Sequence, residues 1–319
     1  MATKPRGKEI TLSDQSKTPA DGATVSIQIP TDFDVQKTRL YMRLLGNIAG
    51  AIVPNANGLN AANYITVMTM NLDGTKVYFS GSGADYFRKN KYAYGTAPTN
   101  TLTTASTGTG VEIGVLDISL DSMIDVKNSE DYTSIINLFK KSSSLTLTVQ
   151  FATATALGTN ITITGGELVA TIKQADLTPQ EVKMLSTPHL QLYDSIQEKP
   201  AAAATAFSFV FDNIPTGKMI KQIAVAVINN SIPSDSLVTG MQMTLGSNPI
   251  KTWGFLQSKN SDKYEYGVET LETGYTILDF EDIGGLDLRG VDVKSAKLGF
   301  NVGSPTGTAN IRLHITEVE

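Results

Sequence analysis

The sequence predicts an all-β protein made of two tandem copies of one fold, on three observations. Segments rich in Thr, Val, Ile and aromatic residues, bounded by Gly, Pro, Asn and Asp, recur along the whole chain. The stretch Met68-Thr69-Met70-Asn71-Leu72 returns as Met241-Gln242-Met243-Thr244-Leu245. Downstream of each, Lys91-Tyr92-Ala93-Tyr94-Gly95 returns as Lys263-Tyr264-Glu265-Tyr266-Gly267, so the offset is 173 residues at the first pair (241 minus 68) and 172 at the second (263 minus 91).

The repeat extends outward, as expected for duplication of a whole domain. Ala23-Thr24 opens a strand running into Ile29-Pro30-Thr31, and Ala204-Thr205 opens one running into Ile214-Pro215-Thr216. Gly158-Thr159-Asn160-Ile161 is matched by Gly307-Thr308-Ala309-Asn310-Ile311. The offset falls from 181 (204 minus 23) through 173 to 150 (310 minus 160). The first copy therefore holds about 8 extra residues before Met68 and about 23 between Tyr94 and Asn160, and insertions of that kind belong in loops.

Strands are expected in the first half at Thr24–Ile29, Arg39–Leu45, Tyr64–Met70, Lys76–Phe79, Val115–Leu120, Leu145–Phe151 and Asn160–Ile172. Leu145 to Val149 and Asn160 to Thr164 alternate apolar and polar residues, the period of a sheet with one buried and one wet face. The second half repeats the set at Phe207–Phe211, Lys221–Ile228, Met241–Leu245, Lys251–Phe255, Tyr275–Phe280, Ala296–Val302 and Asn310–Val318. About eight short antiparallel strands per half fit a double-sheet jelly roll.

Two short helices are expected among them. Asn128–Lys141 has polar cap residues, Glu130 and Asp131 in its first turn and Lys140-Lys141 at its end, all matching the helix dipole. A second starts at Thr178-Pro179. The expected organisation is an N-terminal arm over 1–22, a first jelly roll over 23–173, a connector with a short helix over 174–203 and a second jelly roll over 204–319.

Composition excludes several functions. At 319 residues the chain is long enough for two cores. Cysteine is absent, which removes disulfides, thiolate metal sites and a cysteine nucleophile. A net charge of −5 argues against a broad duplex-DNA footprint and against sequence-specific nucleic-acid binding. The basic residues Lys4, Arg6 and Lys8 crowd the start; a solvated terminus is their ordinary reading, and they also suit an anionic surface such as phospholipid headgroups or packaged nucleic acid. No apolar run approaches the ~20 residues that span a bilayer, and the start lacks a signal-peptide apolar region, so the chain is expected to be soluble and not exported.

Catalytic constellations are sparse. Only His189 and His314 are present, too few for a metal site in each jelly roll, and the alternation of the last strand puts His314 on a polar face with Arg312 and Thr316 as a surface residue. No G-x-S-x-G elbow occurs. Ser80-Gly81-Ser82-Gly83 and Ser106 to Gly110 read as loop punctuation, not as phosphate loops leading into a helix. The acid groups Asp117 and Asp121, and Asp279, Glu281 and Asp282, are the candidate polar clusters. Solvated surface carboxylates are their ordinary reading; Asp279, Glu281 and Asp282 are also candidate calcium ligands or a glycosidase pair. No other metal or cofactor is expected. The aromatics Tyr92 and Tyr94, repeated as Tyr264 and Tyr266, are expected to anchor a loop or a subunit contact, and the Met pairs to fill the core.

The duplicated eight-stranded halves, the scarcity of catalytic groups and the insertion pattern resemble the double jelly-roll major capsid proteins of tailless icosahedral viruses with an internal membrane, the bacteriophage members in particular. The resemblance runs from about Ala23 to Val318 and rests on architecture and duplication. It implies a non-enzymatic shell protein of the virion, made in the host cytoplasm, whose three copies close into a pseudo-hexagonal tile of six barrels. It further implies that neighbouring capsomers and penton or minor capsid proteins are partners, and that Lys4, Arg6 and Lys8 face the inner lipid. The competing readings are a two-domain carbohydrate-binding or adhesion protein, with Trp253 and the tyrosines as stacking platforms, and a β-sandwich glycan hydrolase.

Overall fold

The computed structural model describes residues 9–11, 17–31, 34–120, 136, 144–174, 180, 192–280, 285–292 and 294–318. The chain divides into two units, Met1–Tyr193 and Asp194–Glu319. In unit 1, β1 (Glu9–Thr11), β2 (Thr24–Ile29), β3 (Val35–Ile48), β4 (Ile65–Leu72), β5 (Lys76–Gly81), β6 (Gly108–Ser119), β7 (Leu145–Phe151) and β8 (Ile161–Gln174) form two four-stranded antiparallel sheets, with helix α1 (Gly83–Tyr94) between β5 and β6. The sheet orders are β1-β8-β3-β6 and β2-β7-β4-β5, the interleaved connectivity of a jelly roll.

Unit 2 repeats this strand for strand. Its elements are β9 (Leu192–Pro200), β10 (Ala204–Phe211), β11 (Met219–Asn229), a two-residue β12 (Ile232–Pro233), β13 (Val238–Leu245), β14 (Asn248–Gly254), helix α2 (Phe255–Glu265), β15 (Tyr275–Asp279), a two-residue β16 (Leu286–Asp287), β17 (Ala296–Val302) and β18 (Asn310–Val318). One sheet runs β10-β17-β13-β14; in the other β9, β18 and β11 are neighbours and β15 pairs with β11. Met68 lies opposite Val149 and Met70 opposite Leu147. Met241 lies opposite Phe300 and Met243 opposite Leu298, the same places in the second copy. The extra residues of the first copy fall in connections: 16 residues separate β3 from β4 against 8 between β11 and β13, and the offset drops from 172 at the helix to 151 at β7 (296 minus 145).

Alternation explains the cores. Leu145, Leu147 and Val149 are fully buried while Thr146 and Thr148 between them are half-exposed. Ile27, Leu40, Met42, Met68, Met70 and Leu168 complete one apolar layer, and Ile223, Val225, Met241, Met243, Leu298, Phe300 and Leu313 complete the other. Each such side chain contributes about 1.5–3 kcal/mol through removal of apolar surface from water. The long strands β3 and β8 bend at a register shift between Leu45 and Gly46. A Cβ on Gly166, where φ is +143°, would sit 2.1 Å from the Arg43 carbonyl oxygen, so only glycine fits this bend.

Four expectations are corrected. Within the arm expected over 1–22, Glu9–Thr11 is an edge strand paired with Thr171–Lys173. Leu192–Pro200 is not connector but the edge strand beside β18. Both are polar strands bonded on one side, so neither shows an apolar period. Ser80–Gly83 does lead into a helix: Ser82 caps α1, its backbone N–H and hydroxyl donating to Asp85 Oδ2 at 2.8 and 2.7 Å while its Oγ accepts from the Asp85 N–H at 3.2 Å. Finally, Ile136 exchanges a reciprocal pair of backbone hydrogen bonds with Val35, which a mid-helix residue cannot make, so no helix runs through it. The rest of the helix expected over Asn128–Lys141, and the one from Thr178-Pro179 apart from Gln180, lie outside the described residues.

Because Met68, Met70, Met241 and Met243 are fully buried at matching places, Met70→Ala and Met243→Ala are each expected to destabilise their own unit by about 2–5 kcal/mol. Urea unfolding of the two variants checks this, and a loss under about 0.5 kcal/mol in either contradicts the equivalence.

Candidate functional site

The two helices, one per copy, carry the densest polar chemistry among the described residues. Each follows the strand pair that carries the methionines, and each is fastened to the next strand by the side chain just before the repeated Lys-Tyr-x-Tyr-Gly. In unit 1 that side chain is Asn90: its Oδ1 accepts from the Ser119 backbone N–H at 2.5 Å and its Nδ2 donates to the Ser119 carbonyl at 2.8 Å. In unit 2 it is Asp262, whose Oδ2 accepts from the Thr276 hydroxyl at 2.9 Å and the Ile277 N–H at 3.2 Å.

A cleft of ≈ 580 Å³ lies beside α1, lined by Lys37, Arg39, Asn90, Tyr94, Asp117 and Lys173 among others. Lys37 and Lys173 are directly opposed across β3 and β8, an arrangement of like charges that costs stability. Lys37 Nζ donates to the Tyr94 hydroxyl at 2.5 Å. Arg39 grips Asp117 with both Nε, at 2.6 Å, and a terminal nitrogen. Among the described lining residues, three cations and one carboxylate leave the cleft at +2 in a chain of net −5. Among its described lining residues there is no histidine, and the one carboxylate is engaged by Arg39.

The matching region of unit 2 is acidic. A smaller cleft of ≈ 240 Å³ is lined by Lys251, Trp253, Gln257, Ser258, Glu265 and Asp279 among others. Asp279 Oδ2 accepts from the Tyr266 hydroxyl at 2.6 Å and Gln222 Nε2 at 3.1 Å. Burial drives the Tyr266 hydroxyl above the usual phenol range, with the charge of Asp279 adding to the rise. Burial likewise pushes the Asp262 carboxyl up to about 8, against the hydrogen bonds from Thr276 and Ile277 and with the charges of Glu265 and Asp279 adding to it. Asp262 is therefore neutral at neutral pH, which makes it the electrical equal of Asn90.

Of the residues expected to carry chemistry, Asp279 is tied into this network and Asp117 into its pair with Arg39. Glu281, Asp282, Asp121, His189, Lys4, Arg6 and Lys8 lie outside the described residues. His314 is not a surface residue: it is 4 % exposed, with Nε2 3.4 Å from Asp194 Oδ2, and Thr316 beside it is buried and donates to Asp194 Oδ1 at 2.8 Å. Alternation assigned these side chains to the face away from the core, and that face is buried too. Trp253 is no open platform, since it meets Phe280 edge-on at 5.8 Å and Lys251 Nζ lies 5.4 Å from its ring centre. Sequence reasoning missed both helices; the signal for α1 was Ser82-x-x-Asp85.

No protein-family profile and no curated protein matches the sequence. Solved structures do. The crystal structure of the major capsid protein of Sulfolobus turreted icosahedral virus superposes with a TM-score of 0.80 at 16% identity, covering 98% of this chain and 96% of that one. The fold is a double jelly roll. The major capsid protein P2 of bacteriophage PM2 gives 0.62 at 13% identity over 98% of both chains. The capsid of PBCV-1 virus gives 0.62 at 11% identity, covering 100% of this chain and 95% of that one. The double jelly roll of this chain thus spans each of those capsid chains almost end to end.

Because the folded state holds the Asp262 proton far more tightly than the unfolded chain, whose value is 3.8, the contribution of Asp262 to stability is fully present below that value and is lost as pH rises through about 8. The loss is at most about 1.4 kcal/mol per pH unit. Asp262→Asn keeps the acceptor oxygen and removes the titration. Calorimetry from about pH 6 to about pH 9 should show a falling unit 2 transition in the parent chain and a flatter, higher one in the variant; parallel profiles refute the assignment.

Proposed function

We propose that this chain is a major capsid protein whose value is geometric: three copies supply six similar jelly rolls, which close a pseudo-hexagonal tile of an icosahedral shell. The observation that carries the reading is the strand-for-strand duplication within one chain, together with a fold match to viral major capsid proteins over nearly its full length. A non-enzymatic role is consistent with the capsid-protein neighbours of the fold.

In this reading the tile meets its neighbours and penton or minor capsid proteins in the virion of a tailless bacteriophage, and Lys4, Arg6 and Lys8 lie against an internal lipid membrane. Three basic side chains at an anionic surface contribute about 1 kcal/mol each. Replacing all three with Glu is expected to reduce co-sedimentation with phosphatidylserine vesicles by about a hundredfold; unchanged binding rules out this role for the arm.

Light scattering on the purified chain is expected to give three times 34.1 kDa, about 102 kDa, with a hexagonal outline in negative stain. A strict monomer at high concentration overturns the proposal.

A further inference from the structure

The two copies of the helix differ in one respect that the rest of the fold does not prepare. Advancing 100° per residue, α1 directs Gly83, Tyr86, Phe87 and Asn90 to one side and Asp85, Arg88, Lys89 and Tyr92 to the other. Both sides are buried: Asp85, Arg88, Lys89 and Tyr92 are 4, 4, 2 and 1 % exposed. In α2 the corresponding inner side, Phe255, Ser258, Lys259 and Asp262, is also buried. The outer side is bare. Gln257, Asn260 and Ser261 are exposed, and Tyr264, the repeat partner of Tyr92, is 87 % exposed. Leu256, at the flank, is 56 % exposed.

The polar anchors Asn90 and Asp262 fix both helices in the same rotational setting, so this is a difference in covering and not in orientation. The second copy is also the shorter by about 23 residues beyond the helix.

We infer that the outer face of α2, centred on Tyr264, docks against unit 1 of a second copy of this chain. Charge selects that occupant. Through Tyr193 the sequence has 16 Lys and Arg against 16 Asp and Glu; the remaining 10 and 15 place the whole net −5 on unit 2. Contact between two unit 2 surfaces sets like charge against like, whereas unit 1 is neutral and has the +2 cleft lined by Lys37, Arg39 and Lys173. A contact of unit 2 with unit 1 is heterologous, and heterologous contacts close rings where the rotation between copies closes. Tyrosine is a residue type that anchors such interfaces, with large area and little conformational freedom to lose.

The inference rests on the self-assembling reading above, and the test separates the two. Association of the full chain is measured by light scattering over a concentration series for the parent, Tyr264→Asp, Tyr264→Phe and the control Val53→Asp, whose site in unit 1 is 64 % exposed. Expected are assembly of the parent, Tyr264→Phe and the control, and association about tenfold weaker or worse for Tyr264→Asp. Since Tyr264 touches solvent, Tyr264→Asp should keep the parent's melting temperature as a monomer. The chain has no cysteine, so Tyr264→Cys introduces a unique thiol, expected to react with maleimide in the monomer and to be protected after assembly. An assembling parent with Tyr264→Asp unaffected, or an unprotected thiol, overturns the inference and leaves the capsid reading standing. A parent that never associates overturns both.

Discussion

Each unit depends on one constraint: two antiparallel sheets, each polar on one face, must lay their apolar faces on each other across about 10 Å. Each central strand supplies one residue in two to that layer, so Met68 and Met70, or Met241 and Met243, cannot leave it without the whole strand changing register. The interleaved connectivity adds a second demand, because neighbours in a sheet, such as β2 and β7 or β10 and β17, are distant in sequence. Neither sheet can be completed from a contiguous stretch, so the core is shared by the whole unit.

A scaffold held in that way leaves only its connections free to diverge. The strands of the two copies pair in the same order, while the differences between the copies collect after β3, around the helices and beyond α1. The helix anchor shows how far divergence goes within fixed geometry. Asn90 and Asp262 both present an acceptor oxygen to a strand N–H, one as an amide and the other as a carboxyl whose burial keeps its proton. Different residues thus reach the same neutral, hydrogen-bonded state.

Most strands were legible because period-two alternation is enforced wherever one face is buried: Leu145–Phe151, Ala296–Val302 and Asn310–Val318 fall where the pattern puts them. The edge strands β1 and β9 were not, since a strand bonded on one side can be polar along its length. The helices were hidden for other reasons. Helix α1 follows Ser80-Gly81-Ser82-Gly83, whose glycines suggest a loop unless Ser82 and Asp85 are recognised as reciprocal caps, and α2 has neither a side-chain cap nor an apolar stripe. At the candidate site the repeat picked out Tyr92, Tyr94, Tyr264 and Tyr266 but gave no sign that Tyr92 is buried and Tyr264 bare. His314 shows the same limit. Alternation assigns a side chain to a face, and only the folded chain tells whether that face meets water.

Duplication gives such a fold something a single copy lacks. A ring of identical subunits must present one surface to both neighbours, so every interface residue serves under a single compromise. Two copies in one chain remove that identity: charges can sort onto one unit, and a helix face can stay charged and buried in one copy while its counterpart remains open around a tyrosine. In the proposed tile, three such chains would obey exact threefold symmetry while offering six places that need not be alike. The separation of Arg88 and Lys89 from Asn260 and Ser261, on helices still anchored in the same way, is divergence of the kind that this freedom permits and that a lone jelly roll in a sixfold ring would forbid.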